Sequence, residues 1–267
     1  ALLDADLEPA EIDQVIIATT TPDEQMPGVA PLVQEALGIG GAGAFDINAA
    51  CAGFLYALAV GDSLIRSGTA RRILVCGSDV MSRITDYTDR NTCILFGDGA
   101  GAVVLERIEE ESRIGPFTFG SDGSGASLLH IPPSSGLIEM QGREVYRHAV
   151  EKMSSSIEEV LFVSGLRGGD IDLLLGHQAN ERILRAVAER MGMAGRALVN
   201  IGDWGNTSAA SIPIALAEAS AAGKLQQDDT IVLAAFGAGF VWGAGLVRWG
   251  VRVTDEASTT TESLTNV

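Results

Sequence analysis

Nowhere in this sequence do 18 apolar residues run together, so no membrane-spanning helix is expected. Cysteine is scarce. Cys51, Cys76 and Cys93 are too few and too scattered for a disulfide framework, and a reducing, cytoplasmic compartment is the expectation. Cations are scarce as well: 18 lysines and arginines against 35 acidic residues leave a formal charge of −17. That balance speaks against nucleic acid, because phosphate recognition needs clustered basic groups. The opening residues lack the basic region of a secretion signal, with Asp4, Asp6 and Glu8 in its place. There is no CxxC pair and no His-x-x-x-His spacing, so no metal site is expected. What remains is a chain of 267 residues, 46% hydrophobic and 20% charged. This is a globular composition, long enough for one large core or two fused halves.

Two segments far apart share one grammar. FGDGAGAVVL begins at Phe96 and FGAGFVWGAGLV at Phe236, each a phenylalanine, a glycine-rich turn and an apolar strand. Each follows another strand, from Arg72 and from Thr230. Upstream, the run from Glu11 to Ile17 resembles that from Asp170 to Leu175, both short apolar stretches of the kind found in buried strands. The offsets, about 140 and about 160 residues, point to a duplicated architecture. The halves are expected at 1–112 and 113–252, followed by a disordered tail at 253–267 rich in Thr and Ser. In the second half a strand (Ile114–Gly120) and a helix (Arg143–Ser164) precede the matching strand. In the first half almost nothing does, so its first strand and most of its first helix are read as absent, with Ala1–Leu7 the remnant. Helices are expected at Pro31–Leu37, Cys51–Ser67, Glu181–Met191 and Ala209–Ala222. Alternating strands and helices predict a layered α/β protein.

The segment Ala44–Phe54 carries the clearest chemical signal. An apolar strand ends in small residues and Cys51, and a helix begins there. A thiol at a helix N-terminus is expected to have a lowered pKa, and its small neighbours leave room for a substrate. A plain buried cysteine would read the same way, and Cys76 and Cys93 fit that blander description, each inside an apolar strand. His177 ends an apolar strand, at the carboxyl edge where open α/β sheets bind ligands. It could donate to an oxyanion, shuttle a proton or serve only as a structural histidine. Asn206 lies in a polar turn opening an alanine-rich helix, where an N-cap is the ordinary explanation. Gly97–Gly101 looks like a phosphate loop, but a strand rather than a helix follows it, so a dinucleotide site is not expected.

Taken in order, INAACAGF around Cys51, DRNTCILFGDGAGAVVLE from Asp89, GHQANERI around His177, GNTSAASIP around Asn206 and the final FGAGFVWGAGLVRW resemble the β-ketoacyl-acyl carrier protein synthase III family. The resemblance runs from Glu11 to Trp249. It implies a thiolase-like five-layered αβαβα fold from two duplicated halves, the first incomplete at the N-terminus, working as a homodimer without a cofactor. It implies a decarboxylative condensation that initiates fatty-acid synthesis: Cys51 takes the acyl group from a short acyl-CoA, which is a substrate, and passes it to the carbanion from malonyl-acyl carrier protein.

By the same resemblance His177 and Asn206 steady the enolate, and the backbone N–H groups of Cys51 and Ala238 form an oxyanion hole. Ala238 stands where many relatives have glycine. Arg90 matches a residue contacting the CoA nucleotide, and Arg182 one that docks the acidic acyl carrier protein. Arg185 and Arg190 would extend Arg182 into a cationic patch, unless they are simply a solvated helix face. Met26 matches a loop closing the partner's acyl pocket in a dimer. The family's loop carrying a tryptophan and an arginine for the CoA adenine has no counterpart here.

Two alternatives stay open on these residues. One is a secondary-metabolism relative that primes a polyketide or transfers acyl groups to oxygen or nitrogen. The other is a catalytically silent dimeric binding protein, made so by truncation. A biosynthetic thiolase would need a second cysteine near the last glycine-rich turn.

Overall fold

The computed structural model describes residues 1–109 and 112–250, so the tail expected at 253–267 lies outside them. Val15–Ala18 are fully buried and β-rich, as a central parallel strand requires, and form β1 (Gln14–Ala18). Helix α1 (Val29–Ala36) follows and stops before Gly38, whose φ of +69° suits glycine. Then come β2 (Gly43–Ile47), α2 (Gly53–Arg66), β3 (Arg72–Val80) and β4 (Asp98–Glu106). The second run comprises β5 (Ile114–Ser121), α3 (Gly142–Val163), β6 (Leu173–Gly176), α4 (Glu181–Arg190), α5 (Ser211–Ala221), β7 (Thr230–Gly237) and β8 (Val241–Arg248).

The strands make two four-stranded sheets, ordered β2-β1-β3-β4 and β5-β8-β7-β6. In the first, β1 runs parallel to both β2 and β3, and β3 antiparallel to β4. In the second, β6 is parallel to β7, β7 antiparallel to β8, and a parallel bridge from Leu174 to Ala197 occupies the place of β2. The order β1-β3-β4 thus recurs as β6-β7-β8. Beyond β8 the second sheet continues antiparallel into β5, whereas beyond β4 no strand follows among the described residues.

Helices α2 and α5 lie between the sheets, α1 covers β1 and β2, and α3 with α4 covers the other side of the second sheet. Five αβαβα layers result, which is the expected thiolase-like architecture. The central core joins Phe54, Leu55 and Leu58 of α2 to Ile212 and Leu216 of α5. Each such side chain contributes about 1.5–3 kcal/mol of burial. Because α2 and α5 are sandwiched, the turns that open them meet at one point between the sheets, and the site is built there.

Two local expectations are corrected. In FGDGAGAVVL the glycines lie within or just before β4 rather than in a turn. A Cβ on Gly97 would meet the Trp204 carbonyl at 2.1 Å, and one on Gly101 the Ile214 nitrogen at 2.7 Å. The sequence needs glycine there for close approach of backbone to backbone. Cys93 lies in a turn with Ile94 largely exposed beside it, not in an apolar strand. The expectation holds for Cys76, which is in β3.

Candidate active site

After β2 the chain makes an Asx turn, Ala50 N–H donating to Asn48 Oδ1 at 3.1 Å. It then enters a single 3-10 turn, Ala50–Ala52, that leads into α2. Ala50 has a φ of +47°, a left-handed conformation that costs a non-glycine residue of order 1–3 kcal/mol and persists only when its surroundings impose it. The imposing contact is visible: a Cβ on Gly237 would lie 2.8 Å from Cys51 N and 3.2 Å from Ala50 Cβ. The end of β7 therefore packs directly on the backbone of Cys51, beside Ala238. Gly237→Ala is expected to displace Cys51 and slow acyl transfer from acyl-CoA at least tenfold, since a misplacement of about 1 Å can cost up to about 100-fold. Single-turnover labelling, with circular dichroism to establish folding, measures it.

His177 continues the β6 ladder, its N–H donating to Ala234 O at 2.8 Å, and its ring is buried. Asn206 is held by the other half of the chain. Its N–H donates to Leu95 O at 2.7 Å, and its carbonyl accepts from Gly97 N at 3.1 Å. Its side-chain Oδ1 accepts from Ser208 N at 2.9 Å, which orients the amide and leaves the Nδ2 donors for the cavity. Cys51, His177, Asn206 and Ala238 all line one cavity of about 1430 Å3, as do Phe236, Asn180, Arg90 and Arg182. Roughly 300–1,000 Å3 is usual for small-ligand pockets, so this one has room for a long, extended substrate.

The turn from Asn206 to Ser211 touches all three candidate residues. Ser208, with a φ of +52°, stands beside Cys51 and favours its thiolate. Ser211 Oγ lies 2.7 Å from His177 Nδ1 and 3.0 Å from Ser208 O. When that hydroxyl donates to Nδ1, the imidazole carries its proton on Nε2 and can donate into the cavity. When it donates to the Ser208 carbonyl, Nδ1–H donates to Oγ and Nε2 is a free base. One histidine can then accept the thiol proton and later donate to an oxyanion. Ser211→Ala removes this partner. Condensation is expected to fall about tenfold with a distorted pH profile, measured as kcat across pH 6–9.

The thiol departs from expectation. Burial pushes Cys51 up to about 11, and the charge of Asp79 adds to this, while Ser208 works in the opposite direction. The residue sits in a 3-10 turn ahead of α2 rather than in the first turn of the helix itself. Desolvation outweighs any help from the dipole. His177 is driven the other way, down to about 4, again by burial, against a smaller opposing pull from the Ser208 carbonyl, which accepts from the protonated ring. It is neutral at pH 7. Unfolded histidine titrates near 6.5, so acidification favours the unfolded chain, which binds the proton first. Thermal midpoints are expected to fall as pH drops from 6.5 toward 4, and this dependence should be reduced in His177→Gln.

The remaining candidates divide. Arg90 and Arg182 line the cavity. Arg185 does not: it forms an ion pair with Glu181, Nε to Oε1 at 2.7 Å, so the expected cationic patch is partly neutralised on its own helix. Arg190 is exposed at the end of α4, also away from the cavity. Met26 is 84% exposed and does not reach the cavity of its own chain. Reading the sequence missed Asp79, Ser208, Ser211 and the cavity-lining Arg143. Asp79 did leave a signal, an acid inside the apolar strand ILVCGSDV.

The αβαβα layers and the cysteine, histidine and asparagine gathered between them define a condensing enzyme of the thiolase fold, an acyltransferase. Two family models match, 3-oxoacyl-[acyl-carrier-protein] synthase III at residues 45–123 and its C-terminal counterpart at 161–249. A β-ketoacyl-[acyl-carrier-protein] synthase III of Cereibacter sphaeroides is 47% identical over 260 residues, covering 93% of this chain and 80% of the relative. Its Bacillus pumilus namesake is also 47% identical, covering 94% and 80%. The crystal structure of the Aquifex aeolicus enzyme superposes with a TM-score of 0.91 at 47% identity, covering 93% of this chain and 81% of that one. The chain belongs to the 3-oxoacyl-[acyl-carrier-protein] synthase III family.

Proposed function

We propose that Cys51 is the acyl-carrying nucleophile of this enzyme and that His177 and Asn206 serve its decarboxylative half-reaction. The enzyme condenses a short acyl-CoA with malonyl-acyl carrier protein, initiating fatty-acid synthesis. In the first half-reaction the Cys51 sulfur attacks the acyl thioester, its proton passes to His177, and CoA leaves as the thiol, taking that proton. The backbone N–H groups of Cys51 and Ala238 stabilise the tetrahedral oxyanion. In the second, malonyl-acyl carrier protein loses CO2 and the enolate oxygen accepts from His177 and Asn206. Its carbon then attacks the acyl-cysteine, expelling the thiolate and leaving a β-ketoacyl-acyl carrier protein. The observation that carries this reading is the shared cavity of the three side chains, linked through the turn from Asn206 to Ser211.

Arg90 is assigned to the CoA nucleotide and Arg182 to the carrier protein, with Arg185 and Arg190 at the edge of that docking surface. The enzyme works as a cytoplasmic homodimer of two-halved chains (1–112 and 113–252), in which Met26 reaches the partner's acyl pocket. Acyl-CoA is a substrate and no cofactor takes part. Formation of β-ketoacyl-acyl carrier protein from acyl-CoA and malonyl-acyl carrier protein, followed by mass spectrometry, tests the reaction. Absence of product from the folded protein would refute it.

A second reading has a specific likeness in its favour. The priming β-ketosynthase of the R1128 polyketide pathway superposes with a TM-score of 0.89 at 34% identity, covering 94% of this chain and 79% of that one. A panel of straight and branched acyl-CoA starters, with carrier proteins of both pathways, separates the two.

A further inference from the structure

Asp79 is the last residue but one of β3 and is only 1% exposed. A buried carboxylate is costly unless its oxygens are fully hydrogen-bonded. Here five donors converge on it. Oδ1 accepts from Thr20 N at 2.7 Å and from the hydroxyls of Thr19, Thr20 and Thr21 at 3.2, 3.0 and 3.1 Å. Oδ2 accepts from Ala209 N at 3.0 Å. The hydroxyls of Thr19 and Thr21 each also accept a backbone N–H, from Thr21 at 3.1 Å and Val80 at 2.8 Å, so their protons are directed to the carboxylate. Every partner is a donor, which fits the ionised form, and none of the five carries a charge.

The fifth donor gives the cluster its meaning. Ala209 belongs to the short 3-10 turn Ser208–Ala210 that opens α5, so Asp79 caps that helix end from another sheet. Gly77, two residues earlier, lets β3 press on the same turn, since a Cβ there would meet Ala209 O at 2.2 Å. This is the turn that orients the Asn206 amide through Ser208 N and the His177 ring through Ser211. The nearby negative charge also opposes ionisation of Cys51. A neutral residue would serve the nucleophile better, so the acid's benefit lies with the other two groups.

We propose that Asp79 is a positioning residue, fixing the turn from Asn206 to Ser211 from the opposite sheet so that the two enolate donors are aimed together. The proposal rests on the assignment of His177 and Asn206 given above. Asp79→Asn keeps the shape and removes the charge. Condensation is expected to fall about 10- to 100-fold in kcat, with acyl transfer to Cys51, which uses His177 but not Asn206, falling clearly less. In the same variant, iodoacetamide should alkylate Cys51 faster at pH 8, its profile moved to lower pH. The groups acting on that thiol are Asp79 of β3, through its charge, and Ser208; His177, just past β6 in the same cavity, is neutral at this pH. An unmoved alkylation profile, or equal loss in both half-reactions, overturns the proposal.

If Asp79→Asn does not fold, Thr19→Val removes one donor hydroxyl. It should show the same separation at a few-fold amplitude, and equal losses would again overturn it. Failure of the assignment beneath is recognisable separately: Asn206→Ala would then not separate the two half-reactions, whatever Asp79→Asn does.

Discussion

Cys51→Ala is expected to abolish transfer of label from a radiolabelled short acyl-CoA to the protein. No other thiol can substitute. Cys76 is held within β3, its thiol also pushed up to about 11 by burial, and neither Cys76 nor Cys93 lines the cavity. With the Cys51 thiol pushed up to about 11 by burial, the resting sulfur is protonated at pH 7. The nucleophile must therefore surrender its proton during attack, and a neutral base within the same cavity is needed. This makes two measurements informative. Alkylation by iodoacetamide, which depends on free thiolate, should climb steadily through pH 10 without a plateau. Enzymatic acylation should already be fast at pH 7, because bound substrate and His177 assist. Label incorporated equally by wild type and Cys51→Ala would remove the basis of the proposed mechanism.

The second large effect separates the half-reactions. In Asn206→Ala, acylation of Cys51 should stay within a few-fold of wild type, while decarboxylation of malonyl-acyl carrier protein should fall by about 10^2–10^3, the usual loss for one preorganised oxyanion donor. The Nδ2 donors of Asn206 have Oδ1 tied to Ser208 N, so they are already oriented before the enolate forms. That arrangement stabilises a transition state without reorganisation. His177→Ala should lose at least as much in decarboxylation, and some acylation too, since the imidazole can also take the thiol proton. Release of labelled CO2 from malonyl-acyl carrier protein, measured on preacylated enzyme, reads the step directly. Equal losses in acylation and decarboxylation for Asn206→Ala would show that it serves only the shape of the cavity.

Much of this was legible in residue order. The strand and helix alternation, the boundaries near Gly38 and Arg66, and the repeat of Phe96–Leu105 in Phe236–Val247 follow from periodicity and glycine placement, which are local properties. The motifs around Cys51, His177 and Asn206 were equally readable, because each lies in a short contiguous segment. The glycines of the Phe96 segment were visible but misassigned to a turn. Their reason is contact with Trp204, Pro213 and Ile214, more than a hundred residues away.

What the sequence by itself determined is the elements and the chemical inventory: a cysteine after a strand, a histidine after another, an asparagine in a polar turn. What only the tertiary structure decided is their environment. Burial reversed the expected shift of the Cys51 thiol and kept His177 neutral, since desolvation depends on every residue packed around a group and not on its neighbours in the chain. The convergence of five donors, from Thr19 to Thr21 and from Ala209, made a carboxylate stable inside the molecule. These are sums over long-range contacts, and they exist only once both sheets close on α2 and α5.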